Sequence, residues 1–542
     1  MRADRMSLWL AVLGMLLVLW GCETQLSREQ KQVLEMSRRA TLLEKQQTLL
    51  EWFYAVEGKV PRMAPTYSDF EDLLSPSTLR LVESVLQRTT EVNRSREILY
   101  FKNYLVGKYV DRAVAAYQDS VRKIVASTMF RFGADYYRIS DLRELMSTRL
   151  LALQHRILSE SALPVLERVH RFQDSTRTRR EQLGRKLGYG SYMELTAALY
   201  NYNPDLLRQL GLAILDQTDS LYAALQQELI ARSRHRIPRI PTYRHILALE
   251  TENDFPQLFP RGLQFARVSR FLRGMGLDPR HQPTLKVDTL RGYRKPMAVF
   301  CAPVEPPRDV RLSIRLENSF ELQKKIFYAL GCAEFAVFNE NPSPTFRQLY
   351  QSPVQDVFGM LFQNSWLDTG WVGESLDFAE ADPRLWTSAA AWAALKEVRL
   401  LAAATCYEID LAGSFRDSLA LFGEYMSRAL HARLTELEAH YLLFHQPEAS
   451  VLAKRLEAAV LEPELRRYVE NQFSPRWYEN PECGNFFKSI WVRGNAWTVP
   501  ELMNRIGVRE LRVEPLIREI GQILDFSPPG DQSPGAAPPE SS

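Results

Sequence analysis

The sequence is short of the residues that build a disulfide scaffold or a zinc knuckle. It holds 5 cysteines in 542 residues, scattered and without Cys-x-x-Cys spacing, so neither framework is encoded. Cys301, Cys332, Cys406 and Cys483 read as small buried thiols. None of its 8 histidines lies four residues from another, which excludes the paired imidazoles of a His-Glu-x-x-His zinc helix. His431, His440 and His445 fall in one helical region and read as helix-surface residues. One-sided charge is missing too. The 68 basic and 65 acidic residues leave a formal net charge of +3, which gives no electrostatic footprint for nucleic acid. The basic run Arg232–Arg236 reads as a solvated loop. The apolar run Leu8–Trp20 is too short to span a bilayer.

What remains is an ordinary globular composition, 46% hydrophobic and 25% charged, in a chain long enough for one large domain or two to three smaller ones. At the N-terminus, Arg2 and Arg5 precede the apolar run and Gly21-Cys22 follows it, the order of a secretory signal. Leu19-Trp20-Gly21-Cys22 resembles a bacterial lipobox, which implies lipidation at Cys22, a membrane anchor and a place in the cell envelope. Glu23 rather than aspartate follows the cysteine, which leaves outer-membrane attachment open.

The expected organisation is a signal peptide over 1–22, a tether and amphipathic helix over 23–60, a helical lobe over 61–240 and a second lobe over 241–526. Ser527–Ser542 is rich in Pro, Gly and Ser and reads as disordered. Within 23–60 the periodicity predicts a tether to Arg39 and a helix over Ala40–Val56, broken by Pro61 and Pro65. From Asp69 to Ile237 the pattern reads as almost wholly helical: Leu79–Arg88, Arg94–Ile124, Ile139–Leu163 and Val165–Leu187. Further helices are predicted at Pro383–Leu411, Asp417–His445 and Val451–Gln472. The one convincing β region is Met297–Ala302 with Val310–Leu316, the latter alternating with period two.

Between these lies the most informative stretch. Phe320–Phe338 reads as a helix capped by Ser319, and a second helix opens at Ser352-Pro353-Val354-Gln355, with a serine cap and proline at its first position. Phe327-Tyr328-Ala329-Leu330-Gly331-Cys332-Ala333 resembles the frame Phe-His-Glu-x-Gly-His-Ala of the gluzincin metallopeptidases (thimet oligopeptidase, oligopeptidase F and the angiotensin-converting-enzyme-like peptidases). Tyr328 and Cys332 stand at the histidine positions and Ala329 at the glutamate. Phe346-Arg347 with Gln355-Asp356-Val357-Phe358 resembles the family's Phe-Arg and Thr-Glu-Ala-Phe segments, which puts Asp356 at the third ligand. Ala298–Pro303 and Trp477–Gly484 resemble further family segments, and the likeness covers about residues 188–519.

The resemblance implies a mainly α, zincin-like fold of two lobes around a deep central cleft, with a small β-sheet beside the degenerate helix. It also implies that Ala298, Val299, Phe300 and Cys301 form an edge for pairing with a peptide backbone. The family's tyrosines that steady the tetrahedral intermediate align with Val451 and Arg455.

Chemistry then decides what such a scaffold does. Ala329 cannot take a proton. A catalytic zinc needs three protein ligands and a water, whereas a phenol titrates near ~10 and only Cys332 and Asp356 remain. The expectation is a catalytically inactive, lipid-anchored peptidase homologue without zinc or another cofactor, binding peptides or a partner protein in its groove. Two alternatives stay open: an active metallopeptidase using Cys332, Asp356 and a distant histidine, and a structural helical lipoprotein with a collapsed groove.

Overall fold

A computed structural model describes residues 27–148, 151–290, 295–412 and 417–526. The expected signal peptide, the lipidation site Cys22 and the Pro-rich tail lie outside these residues. The chain is mainly helical with small sheets. No helix among the described residues is long and apolar enough to cross a membrane.

The first helix, α1, spans Arg28–Glu57. Ser27 and Gln30 form a reciprocal capping box at its start, and Gly58 ends it in the left-handed region at φ 70°. Residues 28–39 are therefore helix rather than tether. Apolar periodicity becomes clear only at Ala40, but the cap sets the start and Gly58, not Pro61, sets the end.

After α2 (Val92–Ser127) the chain forms an antiparallel hairpin of β1 (Met129–Phe132) and β2 (Asp135–Arg138), in the gap between the predicted helical runs that end at Ile124 and begin at Ile139, where no strand is predicted. The alternating aromatics Phe130 and Phe132 and the turn at Gly133, φ 66°, override helical propensity there. The predicted helix at Ile139–Leu163 is replaced by a short helix, Leu142–Ser147, and by α3 (Ala152–Lys186). α3 runs straight through Pro164, where a break was expected. Proline forfeits a helix hydrogen bond, but Leu158, Ala162, Leu166 and Val169 are buried around it and hold the helix together.

The second half carries a three-stranded sheet in the order β3 (Leu285–Asp288), β5 (Asp309–Ile314), β4 (Val299–Glu305). β4 and β5 are antiparallel; β3, not foreseen from the sequence, pairs parallel with β5. β4 is an edge strand, and its alternating side chains face two layers. Phe300, Ala302 and Val304 pack on Trp52 and Leu49 of α1, while Val299 and Cys301 pack on the main core.

That core is built around α4 (Phe320–Val337), α5 (Pro353–Gln363), α6 (Pro383–Leu411) and α7 (Ala449–Gln472). Ser319 and Ser352 cap α4 and α5 as predicted, accepting from the N–H groups of Leu322 and Val354. The predicted single helix Asp417–His445 is two, Ser418–Leu430 and Glu436–Phe444. His431 ends the first at φ 47°, and Thr435 caps the second. The three histidines thus do not share one helix.

Candidate functional site

α4 and α5 approach closely because each offers a glycine where the other is bulky. A Cβ on Gly331 would collide with the carbonyl oxygen of Phe358. One on Gly359 would lie 2.8 Å from the Tyr328 ring and 2.9 Å from Cys332 Sγ. This packing brings Tyr328, Cys332 and Asp356 together. The Tyr328 hydroxyl donates to Asp356 Oδ1. The Cys332 thiol faces the Gln355 carbonyl oxygen at 3.9 Å, and Gln355 Nε2 donates to the Cys332 carbonyl at 3.4 Å.

These three residues and Ala329 line a cavity of about 1230 Å³. β4 forms another wall through Val299, Phe300 and Cys301, preceded by Ala298. The ladder geometry fixes which backbone groups β4 leaves unpaired. Arg315 N–H donates to the Ala298 carbonyl at 2.8 Å. In an antiparallel ladder the bonded residues alternate, so residues 298, 300 and 302 bond towards β5. Val299 and Cys301 present their N–H and C=O groups to the other side. Pro303 offers only a carbonyl there, and Gln348 Nε2 occupies the Val304 carbonyl at 3.0 Å.

α7 supplies a third wall through Lys454 and Arg455. The Arg455 guanidinium carbon sits 5.5 Å from the centre of the Tyr328 ring, so this predicted position does join the site. Val451, its partner in the sequence reading, is half-buried on the same helix and does not line the cavity. Lys454 was overlooked in the sequence. A lysine on a helix reads as solvated, and only the tertiary fold shows that it is 7% exposed. Its Nζ donates to Gln351 Oε1 at 3.2 Å and lies over the Tyr200 ring at 5.6 Å.

Burial keeps protons on the side chains at the two aligned histidine positions. Burial raises the Tyr328 phenol well above its ordinary value, with Cys332 and Asp356 adding to the effect, so it stays a neutral donor. Burial, then Asp356, likewise pushes the Cys332 thiol well up. Burial alone pushes Cys301 up to about 12. A zinc ligand must give up its proton, and neither Tyr328 nor Cys332 is poised to do so. The residues here do not fit a zinc ion. Among the described residues no group of three or more His, Cys, Asp or Glu side chains is placed to hold a metal.

The fold also makes one histidine pair that spacing did not reveal. His170 on α3 and His440 stack with ring centres 4.5 Å apart, and burial lowers His170 to about 4. The pair lies away from the cavity lining. Neither protein-family models nor curated proteins give a match to this chain.

Proposed function

We propose that this chain is a gluzincin-like scaffold whose zinc chemistry is gone and whose cavity holds an extended peptide, or an extended segment of a partner protein, along β4. In this reading the cavity is what remains of the cleft between two lobes, and Cys22 tethers the protein by lipid in the cell envelope. The observation that carries it is that one cavity wall is a strand edge whose outward backbone groups at Val299 and Cys301 have no partner among the described residues. Val299 and Cys301 offer a donor and an acceptor each, and Pro303 an acceptor. An extended backbone satisfies such groups by adding a strand, which requires no metal.

The opposite wall supports binding without hydrolysis. The side chains at the expected ligand positions are occupied with each other: Tyr328 donates to Asp356, and the Cys332 thiol rests against a backbone carbonyl. Ala329 presents a methyl group where the family has its base.

The test uses protein lacking residues 1–22. Fluorescence anisotropy with short labelled peptides, zinc content by elemental analysis and a peptidase assay are run on one preparation. Saturable peptide binding with zinc far below stoichiometric and no cleavage supports the proposal. Stoichiometric zinc with hydrolysis abolished by Asp356→Ala refutes it in favour of an active enzyme. Absence of binding to any peptide or protein segment favours a structural role.

A further inference from the structure

The wall that α7 gives the cavity carries two adjacent cations. Lys454 and Arg455 are consecutive on α7, and both line the cavity. Among the described residues neither makes an ion pair, and Lys454 has one hydrogen-bond acceptor, Gln351 Oε1, for three N–H donors. Asp356 acts electrostatically on both, Glu448 also on Lys454, and Tyr328 and Glu397 also on Arg455. Yet Tyr328 already engages Asp356, and none of these carboxylates is within ion-pair distance of either cation among the described residues.

The contrast with Lys324 is direct. That residue is buried to a similar degree, but Glu321 at 3.0 Å and Glu397 at 3.2 Å compensate it. Burying a cation without such a partner is costly. Consistent with this, burial holds the Lys454 ammonium below the usual lysine range, and the neighbouring Arg455 adds to the lowering.

We infer that Lys454 and Arg455, with Gln351 beside them, form a receptor for a carboxylate of the bound peptide, either its C-terminal group or an acidic side chain. This rests on the peptide-binding function proposed above and specifies the ligand as anionic. A carboxylate accepts from a guanidinium and an ammonium at once, and such charge-assisted bonds are about twice as strong as neutral ones. A permanent, planar cation such as the Arg455 guanidinium suits a permanent anion.

Three fluorescein-labelled probes test it: Ala-Ala-Ala-Ala-Phe as the free acid, the same peptide as its C-terminal amide, and the amide with glutamate at the penultimate position. The free acid is expected to bind at least about tenfold tighter than the plain amide, the scale of one charge-assisted contact. Lys454→Met and Arg455→Met are each expected to bring that ratio close to one. If the glutamate-bearing amide recovers the affinity, a side chain supplies the carboxylate; if it does not, the C-terminus does. Equal affinity for all three probes overturns the carboxylate receptor and leaves peptide binding standing.

If no peptide binds, peptide binding falls, and sodium acetate decides the receptor separately. Acetate raising the melting temperature of the wild type above that in matched chloride, and not that of Lys454→Met, supports an anion site. Equal melting temperatures overturn it. Circular dichroism verifies that each variant folds, and Arg455→Lys, which keeps the charge and loses the planar fork, serves where the methionine variant does not. The acid-to-amide ratio in the wild type requires no variant.

Discussion

Gly331 of α4 rests against the Phe358 carbonyl of α5 with no room for a methyl group between them. Alanine in a helix interior normally gains about 0.5–1 kcal/mol over glycine. Here the clash is with backbone, which cannot rotate away, and overpacking of this kind costs about 1–3 kcal/mol. Gly331→Ala is therefore expected to be net destabilising. Gly359→Ala, which meets the Tyr328 ring and Cys332 Sγ, should be destabilising too. Urea denaturation of both variants against the wild type measures this; a stabilised Gly331→Ala would contradict the close packing of α4 on α5.

Tyr328 and Asp356 are hydrogen-bonded to each other between α4 and α5. Tyr328→Phe removes the donor and leaves a part-buried carboxylate without it, a loss of about 1–3 kcal/mol. The reciprocal experiment rebuilds the motif. The triple variant Tyr328→His/Ala329→Glu/Cys332→His restores two imidazoles at i and i+4 with a base between them, and Asp356 is in place as a third ligand. Zinc retention after dialysis is expected in the triple variant and not in the wild type. Failure of a folded triple variant to hold zinc would count against the peptidase likeness of α4 and α5.

Two buried carboxyls set a pH dependence. Glu334 is fully buried and Glu457 is 8% exposed, and burial raises each to about 8 from an ordinary 4.5. The native state holds these protons while the unfolded chain releases them, so stability falls as pH rises through that window. Glu334→Gln and Glu457→Gln should each match the wild type near pH 4.5 and be the more stable of the pair near pH 8. Melting temperatures across this range give the result, and parallel curves for variant and wild type would refute it.

The buried thiols should be slow to react. Burial raises Cys406 to about 12 and Cys332 well up. At pH 8 the thiolate fraction of such a group is roughly a thousandfold below that of a free cysteine. Iodoacetamide labelling followed by mass spectrometry should modify these residues only on unfolding. Rapid labelling of Cys332 in the native protein would mean that the cavity wall opens readily.

Legibility in the sequence followed the range of the interaction responsible. The caps of α4 and α5 were readable because Ser319 and Ser352 act on N–H groups two or three residues away. β5 was readable because alternation is local. The capping box at Ser27 was present in the sequence, but apolar periodicity starts only at Ala40, and the aromatic alternation around Gly133 is too short to stand out between two helical runs. β3 was not readable, since its parallel partner lies beyond β4 in sequence. Nor was Arg399, which reads as a surface charge on α6. It is fully buried and donates to the carbonyls of Leu215, Ala429 and Arg428, to Thr218 Oγ1 and to Asp219. Arg399→Met leaves several of those acceptors unsatisfied, and a loss of about 3–5 kcal/mol is expected from urea denaturation.

The length and seating of α1 give the molecule leverage. Its 30 residues make a rod of about 45 Å at 1.5 Å per residue. Near its C-terminal end Trp52 lies on β4, Lys45 pairs with Glu305, and Glu44 and Thr48 line the cavity. A displacement of α1 is therefore passed directly to β4 and to the part of the cavity wall that Glu44 and Thr48 form. Any movement of α1 against β4 reshapes the cavity, and shortening the chain past α1 would remove part of its wall.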